Sequence, residues 1–462
     1  MLRWHESKNF CGICLSISRI CAGEYSEYGH SSQEFEMQHG KEHEMQHGGQ
    51  STRAAERKRR IIMVQVAVLG YGTVGSGVVE VLEKNKEKIN LRANEELEVK
   101  YILDLRDFPG DPYEARVVHD VELILNDPEI QIICETMGGI EPAYTFSKRA
   151  LCSGKSVCTS NKELVAAHGP ELLRLAKENN CNYLFEASVG GGIPIIRPMN
   201  YSLTAEEIDS IIGILNGTTN YILTKMDQEG ADFADVLKEA QDKGYAEKNP
   251  EADVEGYDAC RKIAILSSLM TGKYVKYQDI YTEGITKITA QDFRYAKAMN
   301  KSIKLLAMSK ETSEGYMAMV APCLIDCEHP LYSVHGVFNA VFVHGNMLGD
   351  SMYYGRGAGK LPTASAVVSD VVDCARHLGK TVTCIWEEEG VKLVDFEQSR
   401  RRFFVRVKKE GLDKAKKLFH FSEIMEVIEG EFGFVTEVMT EAQFKEKRAE
   451  LPEMISRIRI EE

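Results

Sequence analysis

A chain of 462 residues exceeds what one hydrophobic core usually supports, so two or three domains are expected, each burying its own interior. Hydrophobic residues at 44% and charged residues at 27% are ordinary for a soluble globular protein, and no apolar run approaches the roughly 20 residues of a membrane-spanning helix. A formal charge of -14 argues against a bulk electrostatic role on nucleic acid or an anionic membrane, because both need a basic face.

Residues 1–62 differ from the rest. Met37-Gln38-His39-Gly40 recurs as Met45-Gln46-His47-Gly48, Ser and Glu are frequent, and apolar periodicity is nearly absent, so a disordered extension is expected. It lacks the apolar core of a signal peptide, and its Glu residues do not suit a mitochondrial presequence. Lys58-Arg59-Arg60 can be encoded as a purine-rich ribosome-binding sequence just ahead of Met63, which makes Met63 a candidate start. Cys11-Gly-Ile-Cys14, with Cys21 nearby, has no second ligand pair at zinc-site spacing and no βαβ context. Cys134, Cys152, Cys158, Cys260 and Cys374 lie in apolar or helical patterns and read as reduced core residues of a cytoplasmic protein.

From Val64 the pattern changes. Val64–Leu69 is a β-branched run ending directly in Gly70-Tyr71-Gly72-Thr73-Val74-Gly75, and further strands are predicted at Val99–Leu105, Ile130–Glu135, Ser156–Thr159 and Tyr183–Ala187. Helices at Ala143–Ser153 and Pro170–Asn179 separate them, which is the α/β alternation of a parallel Rossmann-type sheet. Beyond Ile193 a strand near Ile208–Leu215 and helices near Tyr221–Gln228, Phe233–Lys243 and Gly256–Thr271 suit an α+β domain on a mixed sheet. The helix Thr363–Leu378 reads as a return to the first domain. The tail reads as strand Arg402–Lys408, helix Leu412–Phe419, strands Ser422–Ile428 and Phe432–Val438, helix Glu441–Leu451 and strand Ile455–Ile460, a ferredoxin-like βαββαβ order. The expected domains are therefore 63–197 with the return segment 355–380, 198–354, and 381–462, the last joined through a hinge at Glu387–Glu389.

In the glycine motif, Gly70 permits a tight turn, Gly72 lets backbone approach a pyrophosphate, and Gly75 lets helix and strand pack closely. The helix N-terminus at Thr73 and Val74 offers unpaired N–H groups to phosphate. An insertion rich in Lys, Asn and Glu delays the second strand, whose end carries Asp104, Arg106 and Asp107. An Asp would hold a ribose 2′-OH and Arg106 a 2′-phosphate, so NAD and NADP both stay open.

Gly190-Gly191-Gly192-Ile193-Pro194 is either a plain loop or a place of close backbone approach. Asn216-Gly217-Thr218-Thr219-Asn220 is good capping sequence or a substrate-facing rim. In the block Tyr245–Lys262, Asp258 and Lys262 stand one helical turn apart on one face, with Glu247 on the loop before. Spacing alone fits an exposed i,i+4 salt bridge better, although the apolar run after Lys262 sends that helix into a core.

Taken together, Gly70–Gly75, Ser160-Asn161-Lys162, Gly192–Ile196, Leu215–Leu223 and the Glu247–Lys262 block resemble the homoserine dehydrogenase family in order and separation. The resemblance implies reversible NAD(P)-dependent interconversion of L-homoserine and L-aspartate 4-semialdehyde, a step of threonine, methionine and isoleucine biosynthesis. It implies that Lys262 is catalytic, that Asp258 and Glu247 bind the amino-acid substrate, and that Lys162 reaches both nicotinamide and substrate. Thr136 and, from Gly355-Arg356-Gly357-Ala358-Gly359, Gly359 are further implied cofactor contacts. A monovalent cation, Na+ or K+, is implied at Glu186, Val189, Gly191 and Ile193, chiefly through main-chain oxygens. A homodimer or homotetramer is expected. The tail is similar in layout to ACT-type regulatory domains, but Lys409-Glu410-Gly411-Leu412 stands where an acidic-x-Pro-Gly turn would present backbone to an effector, so threonine control is not expected. The alternatives are a dehydrogenase of a related amino-acid aldehyde and a non-catalytic nucleotide or amino-acid sensor; joint presence of Lys162, Asp258 and Lys262 argues against the sensor.

Overall fold

The computed structural model describes residues 63–461. The expectations placed on residues 1–62, including the Cys11–Cys14 pair and the repeat, lie outside the described residues.

The first strand, β1 (Met63–Leu69), runs into α1 (Thr73–Lys84) through the glycine turn. It is followed by β2 (Glu96–Leu103), β3 (Val117–Val118), β4 (Ile130–Glu135), α2 (Ala143–Cys152), β5 (Ser156–Thr159), α3 (Lys162–Glu178) and β6 (Tyr183–Leu184). These six strands form one sheet, order β3-β2-β1-β4-β5-β6, with every pairing parallel. Chain order reverses between β1 and β4, and a ligand of such a sheet sits outside the carboxyl ends of the strands at that point. The insertion before β2 is itself partly helical, over Lys86–Ala93.

The strand predicted to reach Leu105 ends at Leu103, because the Asp104 carboxylate turns back to accept the Tyr71 N–H at 2.8 Å. The helix predicted to start at Pro170 begins eight residues earlier, with Pro170 inside it. Proline removes an amide at that point, and the Tyr274 hydroxyl donates to Ala166 O at 3.1 Å, supplying the carbonyl that Pro170 cannot. The strand predicted over Tyr183–Ala187 stops at Leu184, and Glu186 enters a tight helical turn. Among the cysteines, Cys134, Cys158, Cys260 and Cys374 are buried thiols, whereas Cys152 is exposed.

The second layer is built on β7 (Ile208–Ile214), followed by α4 (Gly217–Glu229) and α5 (Tyr257–Thr271). Four long strands follow: β8 (Lys301–Thr312), β9 (Gly315–Asp326), β10 (Phe338–Gly345) and β11 (Gly349–Arg356). Next, α6 (Lys360–Arg376) packs its buried Ala364, Val367, Val368 and Val371 into the same core as β1 and α1.

The tail contributes β12 (Arg400–Lys408), α7 (Leu412–Phe419), β13 (Glu431–Val435), α8 (Glu441–Ala449) and β14 (Met454–Ile460). The strand predicted over Ser422–Ile428 is reduced to one bridge, Met425 to Gly433; Ser422, Glu423, Ile424 and Glu426 face water, while Met425, Val427 and Ile428 pack against the core. The tail sheet is continuous with the second layer, in the order β11-β10-β7-β8-β9-β14-β12-β13, through parallel pairing of Cys323 with Arg459 and Leu324 with Ile460. Nor does Glu387–Glu389 form a hinge. Glu387–Gly390 is a short strand paired with Lys273–Tyr274, held by Arg174–Glu388 (2.6 Å) and Lys273–Glu389 (3.1 Å) ion pairs. No helix among the described residues is long and apolar enough to cross a membrane.

Candidate active site

Asp258 lies in the first turn of α5, entered through Gly256 at φ +84°, a left-handed conformation that favours glycine. One turn later on the same face stands Lys262, whose Nζ is 2.7 Å from Asp258 Oδ2 and donates to Leu215 O at 2.8 Å, at the end of β7. The other carboxylate oxygen, Oδ1, is 2.6 Å from Lys162 Nζ. Lys162 is the first residue of α3, set there by the Asn161 cap, whose Oδ1 accepts the Leu164 N–H at 3.1 Å. The carboxyl end of β5 and the amino end of α5 thus converge on one carboxylate held between two ammonium groups. This is no surface ion pair: Asp258 is 4% exposed and Lys262 8%.

Electrostatics differ across the trio. Burial alone would raise Asp258, but the Lys262 and Lys162 charges outweigh it and hold the carboxyl well below its ordinary range. Burial and the like charge of Lys162 hold Lys262 below the usual lysine value, against the pull of Asp258. Lys162 is also penalised by burial, yet Asp258 lifts it above the usual value. The two lysines are pushed apart, a pattern suited to a charge holder and a proton donor in one pocket.

Sequence reading missed Asp253. Asn216 Nδ2 donates to both Asp253 Oδ1 (2.7 Å) and Asp258 Oδ2 (3.0 Å), while Asn216 Oδ1 accepts the Thr219 N–H (2.8 Å). The Asn216–Asn220 segment is therefore both cap and site wall. Burial, then Asp258, raises Asp253 above its ordinary value. Glu247 is not brought to this cluster: it is exposed, and its main-chain oxygen accepts from Gln241 Nε2 at 3.0 Å.

At the glycine turn, a Cβ on Gly75 would sit 1.8 Å from Gly70 O, whereas one on Gly72 would meet nothing within 4 Å. Gly75 thus permits the close packing of helix on turn, and Gly72 leaves an open cradle. No side chain caps α1 at Gly72, so the amides at Thr73 and Val74 face that cradle uncapped. Thr136 Oγ1 donates to Leu69 O (3.0 Å) and Gly70 O (2.9 Å), locking the turn to the end of β4. Beside it, Asp104 is committed to protein donors, Tyr71 N–H and the Arg106 Nε at 3.0 Å, and Arg106 lowers it to about 2. The Arg106 side chain is 63% exposed over Phe108, while Asp107 is turned toward His119 at 3.1 Å.

The other glycine cluster is a close-approach site: a Cβ on Gly191 would lie 2.2 Å from Gly357 O, so the loop at Gly190–Ile193 presses against Gly355–Gly359. The Glu186 carboxylate accepts the N–H groups of Ile195 (2.7 Å), Ile196 (3.0 Å) and Arg197 (2.6 Å). Val189, Gly191 and Ile193 are buried, and among the main-chain hydrogen bonds of the described residues none uses their carbonyl oxygens. Gly359 caps α6 at φ +122°.

This geometry has close relatives. Residues 70–186 match the family description "Homoserine dehydrogenase, NAD binding domain" and residues 194–372 match "Homoserine dehydrogenase". The homoserine dehydrogenase of Synechocystis is 48% identical over 67% of this chain and 73% of its own length, and that of Bacillus subtilis is 42% identical over 69% and 75%. The crystal structure of a homoserine dehydrogenase from Thiobacillus denitrificans superposes with a TM-score of 0.80 at 35% identity, covering 87% of this chain and 99% of that one. A hyperthermophilic archaeal homoserine dehydrogenase in complex with NADPH gives a TM-score of 0.56 at 29% identity, over 68% of this chain and 98% of that one. The chain belongs to the homoserine dehydrogenase family and is an NAD(P)-dependent oxidoreductase of that family.

Proposed function

We propose that Lys262 is the acid–base catalyst of the interconversion of L-homoserine and L-aspartate 4-semialdehyde, with Lys162 and Asp258 completing the site. The observation that carries this reading is the buried Asp258 carboxylate held between the buried Lys262 and the half-buried Lys162, with the two lysines pushed to opposite sides of the usual value. When bound, the nicotinamide exchanges hydride with C4 of the substrate. In the reductive direction the aldehyde oxygen gains negative charge, and the Lys262 ammonium stabilises it and gives it a proton. In the oxidative direction neutral Lys262 takes the hydroxyl proton. Asp258 and Asp253 supply the negative charge that receives the substrate ammonium, and Lys162 fixes the orientation of C4 between the glycine turn and α5. Glu247, exposed on its loop, joins only if that loop closes over the substrate.

Gly70, Gly72, Thr73, Val74 and Gly75 would hold the pyrophosphate, with Thr136 and Gly359 beside it. Arg106 favours NADP over NAD: both Asp104 oxygens already take protein donors, and the exposed guanidinium stands at the end of β2, where a 2′-phosphate comes. The carbonyl oxygens of Val189, Gly191 and Ile193, which accept none of the main-chain hydrogen bonds of turns and loops among the described residues, fit a monovalent cation such as Na+ or K+, with Glu186 ordering the loop through its amides. Met347, Leu348, Met352 and Tyr354 are exposed on the β10–β11 hairpin at the sheet edge, which suits contact with a second copy of the chain in a homodimer or homotetramer. The Lys409–Leu412 loop forms a 3-10 turn leading into α7, and the reading remains that threonine does not control the enzyme. The chemistry suits the cytoplasm, where reduced nicotinamide and free thiols coexist.

Initial rates of L-aspartate 4-semialdehyde reduction with NADPH and with NADH test the reading. Turnover with NADPH preferred supports it; no turnover with either cofactor refutes it.

A further inference from the structure

Glu135 ends β4 and is 0% exposed, with Thr159, the last residue of β5, equally buried beside it. A carboxyl group at such a depth costs several kcal/mol unless it is held by donors. Here both oxygens are held. Oε1 accepts the Met137 N–H at 2.8 Å, and Oε2 accepts the Thr159 hydroxyl at 2.5 Å. The Thr159 oxygen in turn accepts the Asn161 N–H at 2.9 Å, and Asn161 Nδ2 donates to Gly139 O at 2.6 Å. Burial pushes the Glu135 pKa up to about 7.

Two loops at the carboxyl end of the parallel sheet are therefore tied together through one side chain. Residues 136–139 follow β4 and carry Thr136, which locks the glycine turn. Residues 160–161 follow β5 and carry the cap that starts α3 at Lys162. A link from Glu135 through Thr159 and Asn161 ends one residue from the lysine that binds Asp258 Oδ1. We propose that Glu135 is a positioning residue for hydride transfer, holding the cofactor-side loop and the Lys162 cap at one fixed separation through Thr159. Its side chain has no exposed surface from which to reach substrate or cofactor. The proposal rests on the reading of Lys162 as a site residue.

Thr159→Val, Thr159→Ser and Glu135→Gln test it, with kcat, the KM for homoserine and the thermal midpoint measured for each, and Lys162→Met run in parallel. Thr159→Val removes the hydroxyl at nearly constant volume and frees Glu135 Oε2 and the Asn161 N–H together. A displaced Lys162 lowers kcat by about tenfold to a hundredfold, with a smaller change in KM. Thr159→Ser restores both hydrogen bonds and brings kcat back. Glu135→Gln leaves one acceptor where two are used, so an amide NH2 must face either the Thr159 hydroxyl or the Met137 N–H and one end of the link is lost; it lowers kcat similarly, and the double variant is no worse than either single one. Wild-type kcat in Thr159→Val, or equal loss in Thr159→Val and Thr159→Ser, overturns the proposal. Should Thr159→Val fail to fold, Glu135→Gln decides, with wild-type kcat overturning it and the stated loss supporting it. Full activity in Lys162→Met would instead refute the reading of the site.

Discussion

Lys262 Nζ lies 2.7 Å from Asp258 Oδ2, one helical turn away, with both side chains at least nine-tenths buried. In that setting neither charge is independent. Removing the carboxylate strands an ammonium in the core, a loss on the order of 3–5 kcal/mol for a buried pair. Asp258→Asn is therefore expected to lower the melting temperature as well as kcat. It should also move the pH dependence, since Asp258 raises the Lys262 pKa. Reduction needs Lys262 charged, so its rate falls as pH rises through that pKa, and without Asp258 the fall occurs at lower pH. A pH–rate profile of semialdehyde reduction in the variant checks the direction.

Lys162 acts with the opposite sign. Its like charge lowers the Lys262 pKa, so Lys162→Met should move the same limb toward alkaline pH in whatever activity remains. An unmoved limb would mean that the two ammonium groups do not sense each other, and a shift toward acid would contradict the sign of the coupling.

Arg106 should set cofactor choice. Arg106→Ser is expected to raise the KM for NADPH about tenfold or more, the size of one lost charged hydrogen-bond partner, and to change the KM for NADH little. Equal changes for both cofactors would place Arg106 away from the 2′-phosphate.

The tail is built into the molecule rather than appended to it. Arg406 meets Asp292 at 2.7 Å with both side chains at most 4% exposed, and the fully buried Arg459 meets Glu283 at 2.6 Å. Trp386 seats against Gly169, and Val382 N–H donates to Asn182 Oδ1 at 2.7 Å. Ending the chain after Leu378 strands Asp292 and Glu283 and uncovers β9. The truncated protein is expected to be insoluble, or to melt well below the full chain; a soluble product with an unchanged melting temperature would contradict these contacts.

How far sequence reading reached depended on whether local pattern carried the signal. The strand, glycine turn and helix at residues 64–84 were legible because β-branched run, glycine spacing and amphipathic helix coincide. The Asp258–Lys262 pair was legible as geometry, since helical spacing alone puts both on one face, but its burial depended on β7 ending at Leu215. Strands β8 and β9 were missed because both of their faces are buried, which removes the alternation that marks a strand. Asp253 was hidden among several acids around Gly256, and only the left-handed turn there shows which of them faces Asn216. Glu135 looked like the polar end of an apolar strand; that it joins two loops is a fact of parallel register, Glu135 opposite Thr159.

Replacing Lys262 with Met puts the catalytic role of Lys262 to the sharpest test, because it removes the ammonium while keeping most of the apolar stem. Steady-state kcat with aspartate 4-semialdehyde at saturating NADPH, alongside the Kd for NADPH by fluorescence titration, separates chemistry from binding. The expected result is a fall in kcat of about a hundredfold to ten-thousandfold with the cofactor Kd nearly unchanged. A kcat within about threefold of wild type, or a loss confined to KM, would contradict it.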